Sequence, residues 1–179
     1  MALMIKGFEF NIFGETTYIV WDDTTREAAI VDAGMSNDTE RYTIDSFIRK
    51  NELKIKYLLN THIHLDHTFG VPYARERYGV KLSASPLDAP LAERIEQQAV
   101  LFHLPFKPEN IVIENELHDG DIIRLGQEKL QVIEVPGHTP GGLAFHSPDA
   151  QFVLTGDSLF HSSIGRTDLP GGSHSALIR

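Results

Sequence analysis

The chain has 179 residues, no cysteine and a formal net charge of -9. That length favours one domain, residues 1–179, and a hydrophobic content of 41% suits a packed core without staples. The lack of cysteine excludes disulfides and thiolate metal sites and fits a reducing compartment. The acidic balance disfavours nucleic acid as a partner.

The N-terminal stretch MALMIKGFEFNIFG lacks a basic segment followed by a long apolar run, so no secretory signal is expected. No apolar run reaches the ~20 residues of a membrane span. A soluble, cytoplasmic protein with no membrane partner is the expectation. Strands are predicted at FEFNIF, TTYIVWDD and EAAIVDAG, with DDTTRE as a hairpin loop. TERYTIDSFIRKN reads as a helix with Ile44, Phe47 and Ile48 on one face. KIKYLLN is the next strand, TFGVPYARERYG a helix and VKLSAS a strand. SPLDAPLAERIEQQAVLF reads as one helix, with Ser85 as N-cap, Pro86 at the first helical position and Asp88 in the first turn. ELHDGDIIRLG and EKLQVIEVPGH read as paired strands, and AQFVLTGDSLF as a strand ending in Gly-Asp. Strands followed by helices in both halves suggest an α/β layered fold.

The stretch NTHIHLDHTFG follows the apolar run YLL and carries three histidines and an aspartate. In extended backbone, alternate side chains share a direction, so His62 and His64 face one point. Asp66 and His67 follow at the turn into the next helix and face a second point. VIEVPGHTPGG presents His138 at a strand end in the same manner, and FVLTGDSLF presents Asp157. Neutral imidazole and carboxylate are the donors that Zn²⁺ or Fe²⁺ accepts when thiolate is absent. His62, His64 and His138 make one tripod; Asp66, His67 and Asp157 serve a second ion. A carboxylate oxygen or a water would bridge them, as in paired sites with ions ~3.5–4 Å apart. The other histidines, His103, His118, His146, His161 and His174, read as ordinary surface or hydrogen-bonded residues.

THIHLDH, GHTPGG and TGDSLF together resemble the metallo-β-lactamase superfamily, whose signature is His-x-His-x-Asp-His with a later His and a later Asp. Within it the chain is most similar to the glyoxalase II (hydroxyacylglutathione hydrolase) branch, on His67 after Asp66 and on the stretch SIGRTDLPGG. The resemblance implies a four-layer αββα sandwich with the metals at one edge of the two sheets. It implies His62, His64 and His138 on the first metal, Asp66 and His67 on the second, and Asp157 bridging. Two divalent ions are implied, zinc foremost, with iron or manganese also suited. Arg166 falls where the family carries a basic residue near the substrate.

The implied activity is hydrolysis of a small-molecule thioester such as S-acylglutathione, with Asp66 orienting the attacking water. Rival readings are a mononuclear-iron persulfide dioxygenase, a lactonase, esterase or nuclease of the superfamily, and a metal-binding protein without turnover. GETTYIV lacks an asparagine frequent in the family, and Ala33 stands where proline is common. Family members continue past GGSHSALIR through a helix and a strand to a final histidine on the second metal; this chain ends at Arg179.

Overall fold

The computed structural model describes residues 3–179. Strands β1 (Met4–Phe10), β2 (Glu15–Trp21) and β3 (Glu27–Val31) form an antiparallel meander. The strand predicted at FEFNIF ends at Phe10, because Asn11 turns the chain with φ 50°. Helix α1 (Asp38–Lys50) carries the chain to β4 (Lys54–Leu59), parallel to β3. Asn37 caps α1 by accepting from the Glu40 amide, and Asp38 and Glu40 complement the dipole in its first turn. Helix α2 (Val71–Tyr78) leads to β5 (Leu82–Ala84), parallel to β4, and ends at Gly79 with φ 66°. Helices α3 (Ala89–Ala92) and α4 (Ile95–Leu101) follow, and β6 (Asn115–Glu116) closes a six-stranded sheet of order β1-β2-β3-β4-β5-β6.

The second sheet has the order β10-β9-β8-β7, built from β7 (Ile122–Leu125), β8 (Glu128–Glu134), β9 (Leu143–Ser147) and β10 (Phe152–Leu154). A small ribbon, β11 (Leu159–Phe160) with β12 (Ser163–Ile164), and the one-turn helix α5 (His174–Leu177) complete the chain. The stretch ELHDGDIIRLG is therefore not one strand. β6 belongs to the first sheet, and the turn at Gly120 (φ 83°) hands the chain to the second.

Alternation along the strands sorts the core into two clusters. Ile19, Ile30, Leu58 and Leu82 face the helices and meet Ile44, Val71, Ala74 and Ile95. Val20, Ala29, Val31 and Leu59, one residue out of phase, face the second sheet and meet Leu130, Val132, Leu143 and Phe145. Each fully buried leucine, isoleucine or phenylalanine contributes about 1.5–3 kcal/mol. Helices, first sheet and second sheet are thus stacked as three successive layers of the expected αββα sandwich. After the second sheet no helix is longer than the four-residue α5 among the described residues.

The long helix predicted over residues 85–102 is broken. A single 3-10 turn at Pro86–Asp88 precedes α3, and the helical path breaks at Arg94, whose φ is -125°. Ser85 does cap the start, accepting from the Leu87 amide. Asp88 lies in that first turn as expected, and it is fully buried for a reason given below.

Candidate metal centre

The parallel arrangement of β3, β4 and β5 places their C-terminal ends side by side, where open α/β sheets gather ligands. The Asp32 amide, just past β3, donates to Leu59 O, and the Asn60 amide, just past β4, donates to Ser83 O. β4 thus delivers Thr61, His62 and His64, and a 3-10 turn over Leu65–His67 delivers Asp66 and His67. From the second sheet, the turn between β8 and β9 brings His138, and the Gly156–Ser158 turn after β10 brings Asp157. The Leu143 amide at the start of β9 donates to Thr61 O at 2.7 Å, fixing one sheet to the other beside the histidines.

His62, His64, His67 and His138 are all buried. One donor atom from each of His62, His64 and His138 falls within 4.8 Å of the others, and the same holds for His62, His67 and Asp157. The predicted tripod is brought together. The second group differs in membership: His62 joins His67 and Asp157, while Asp66 stands at its edge with Oδ2 3.6 Å from His67 Nε2. Asp157 lies between the groups, Oδ1 3.5 Å from His67 Nε2 and Oδ2 3.7 Å from His138 Nε2.

Neighbouring groups turn the imidazole lone pairs inward. The Thr61 hydroxyl donates to Asp32 Oδ2 at 2.7 Å, so its oxygen accepts from His62 Nδ1 at 3.0 Å. That leaves His62 Nε2 as the acceptor nitrogen, buried and without a hydrogen-bond partner. His138 Nδ1 donates to the Arg166 carbonyl at 2.7 Å, which frees Nε2, 2.9 Å from His64 Nδ1. His67 Nδ1 lies 3.2 Å from Asp32 Oδ2, with Nε2 toward Asp66 and Asp157. An orphaned nitrogen at His62, with further imidazole nitrogens converging on it beside carboxylates, fits a divalent cation, and outer partners that orient ligating imidazoles are the usual accompaniment.

Electrostatics agree with His62 and His64 as donors. Burial, then His67 and the neighbouring rings, hold His62 well below its ordinary pKa. Burial and His138 hold His64 at about 3. Both rings are therefore neutral and able to donate a lone pair at pH 7. Burial works against charge on His67, yet Asp32, Asp157 and Asp66 outweigh it and raise its pKa. Burial raises Asp66; at Asp157 burial acts in the same direction but His67 overcomes it, and the pKa falls.

Three supporting residues lie outside the predicted set. Asp32 sits at φ 55°, a left-handed conformation costing about 1 kcal/mol or more outside glycine, and its carboxylate also accepts from the Thr61 amide. Asp88 accepts from the Ile63 amide, the Thr139 hydroxyl and the Gly141 amide at 2.7–3.0 Å, clamping the two histidine-bearing loops together. Gln98 of α4 accepts from the Leu65 amide. Asp32 has the same strand-end position as His62 and could have been noticed in VDAG; Asp88 gave no signal, since Ser-Pro-x-Asp is also an ordinary helix start. Arg166 lies at the rim of the centre: its guanidinium makes a two-point pair with Asp168, and its main-chain carbonyl accepts from His138 Nδ1.

The described residues contain no helix long and apolar enough to cross a membrane. The centre opens to solvent through a cavity of about 210 Å³ lined by Phe13, His64, Asp66, His138, Asp157 and Arg166.

Residues 11–179 match the model of the metallo-beta-lactamase superfamily. The hydroxyacylglutathione hydrolase GloC of Haemophilus influenzae is 34% identical over 97% of this chain and 80% of its own length. Among solved structures, BLEG-1, titled a B3 metallo-beta-lactamase, superposes with a TM-score of 0.84 at 25% identity, over 98% of this chain and 82% of its own. TTHA1623, solved in a di-iron-bound form, gives 0.81 at 29% identity over 97% and 82%. With the sheet order, the strand-end histidines and these matches in agreement, the chain belongs to the metallo-β-lactamase superfamily.

Proposed function

We propose that this protein is a metal-dependent hydrolase of small-molecule thioesters, of the S-acylglutathione kind named for the Haemophilus relative. The carrying observation is the buried His62–His64–His138 triad, with lone pairs turned inward, facing Asp66 and Asp157 across a solvent-connected cavity. His62, His64 and His138 would hold one divalent ion. His67 and Asp66 would serve a second, with Asp157 between them. The nitrogen and oxygen donors suit zinc, and iron or manganese as well. When bound, such ions supply a water acidic enough to attack at neutral pH and polarise the acyl carbonyl.

The chain's own residues do the rest. Asp66, with its carboxylate at the edge of the cavity, accepts a hydrogen bond from the attacking water and orients it. The buried imidazoles, with His62 and His138 held by Thr61 and by the Arg166 carbonyl, keep the centre assembled. Arg166, at the cavity rim, is placed to meet an anionic part of the substrate once it exchanges Asp168 for it. A thiolate leaves without a strong general acid, so the reaction makes no demand for a dedicated proton donor.

The test is thiol release from S-acylglutathione by protein loaded with zinc, iron or manganese in turn. Turnover that disappears in His138→Ala supports the reading. Oxygen uptake with glutathione persulfide, without thioester cleavage, would overturn it in favour of a dioxygenase. Failure on every thioester, ester and lactone tried would leave a metal-binding protein.

A further inference from the structure

A second, larger cavity adjoins the centre, and its use depends on the hydrolase reading above. It has a volume of about 330 Å³, within the range of small-molecule sites. It shares His64, Phe102 and Leu169 with the smaller cavity at the carboxylates, so the two form a path from the histidines outward. α3, α4 and the 169–171 loop enclose it.

Its wall is mainly apolar. Leu87 and Leu101 are 57% and 58% exposed although they are large hydrophobic residues, and both line this cavity. Exposed leucines gathered round one concavity that ends at a reactive centre mark a ligand-covered surface. The polar side chains in the wall are His64, Arg94, Gln97 and Gln98. His64 belongs to the centre, and Gln98 is already bonded to the Leu65 amide and the Leu91 carbonyl. Arg94 is the remaining charge; it is exposed and forms no ion pair or side-chain hydrogen bond with the described residues.

We propose that this cavity takes the acyl arm of the substrate, and that the arm is an apolar chain on an anionic molecule. An acyl group rich in hydroxyls would desolvate them against Leu87, Leu91, Leu101 and Phe102 without return. A straight hydrocarbon chain loses nothing there, and its carbonyl end emerges at His64. Arg94 favours anionic over cationic molecules of the same length.

The experiment is calorimetric titration of the purified protein with straight-chain carboxylates from butanoate to octanoate. Any bound metal contributes alike to each carboxylate, so the dependence on chain length reports the cavity alone. Affinity should rise about fourfold per added methylene until the cavity is full. Leu87→Glu and Leu101→Glu, at exposed positions where folding is not at stake, should each flatten the series. Alkylammonium ions of equal length should bind less well than carboxylates, and Arg94→Gln should narrow that gap. Affinities independent of chain length, or a slope unaltered in both leucine variants, would overturn the proposal. Thioester turnover with a flat series would sink the acyl cavity and keep the hydrolase. A steep series without turnover on any metal would keep the chain-binding cavity and sink the hydrolase.

Discussion

Asp32 Oδ2 lies 3.2 Å from His67 Nδ1 and also accepts the Thr61 hydroxyl that orients His62, so one carboxylate oxygen governs an imidazole in each of the two donor groups. Replacing it with asparagine keeps the shape and removes the charge. Asp32→Asn should weaken metal binding about 10–100-fold, the usual effect of altering an outer-shell partner. Competition against a chromophoric chelator measures it, and an unchanged affinity would show that the contact does not orient the rings.

Asp157 stands between the groups, close to both His67 and His138. Asp157→Ala should therefore lower the metal content of both sites together. His138→Ala should empty the first site and leave the donors of the second intact. Elemental analysis of each variant after purification without chelator distinguishes them; loss of a single ion from Asp157→Ala would argue against its intermediate role.

Asp88 is the buried link between the His62–His64 loop and the His138 turn. Asp88→Ala strands three buried donors, each orphan costing about 1–3 kcal/mol. The midpoint of urea unfolding should fall accordingly. Asp88→Asn retains one acceptor oxygen and should recover part of the loss. A midpoint unchanged in the alanine variant would mean that water replaces the carboxylate at no cost.

Glu15, buried near Asp32 and His67, has its pKa raised to about 9, mainly by desolvation, with His67 opposing and Asp32 adding to it. The folded state therefore holds this proton more tightly than the unfolded chain does. Its contribution to stability is full below pH ~4.5 and is lost as pH rises through about 9. Glu15→Gln removes the titration. In chelator-treated protein the variant should gain thermal stability relative to the parent as pH rises from 5 to 9. Melting curves across that range check the sign, and parallel parent and variant curves would contradict it.

Much of this centre could be read from the chain because its donors follow strand ends in compact runs. His62, His64, His138 and Asp157 each follow an apolar run that ends abruptly, and the sheets bring those ends together. The helices were legible where periodicity was clear, as at Ile44, Phe47 and Ile48. They were less so at residues 85–102, where good helix formers continue through a break that only tertiary packing imposes. The first-turn place of Asp88 was legible, but its clamping role was not: its partners, Ile63, Thr139 and Gly141, are 25, 51 and 53 residues away, and no local pattern encodes such distances. The resemblance points to the Arg166 side chain; that its peptide carbonyl, a group every residue possesses, also holds His138 is a contact no side-chain pattern encodes. The membership of the second group was also beyond reach, since it depends on where the fold sets the His62 ring relative to His67 and Asp157.

That sharing has a consequence for occupancy. His62 counts in both groups of donors, but its one unpartnered nitrogen, Nε2, serves one cation at a time. A first ion that claims it leaves the other position to rely on His67, Asp157 and Asp66, a poorer and more anionic seat. Filling should then proceed in two unequal steps, and preparations starved of metal should contain a majority of singly loaded molecules instead of an even mixture of empty and full ones.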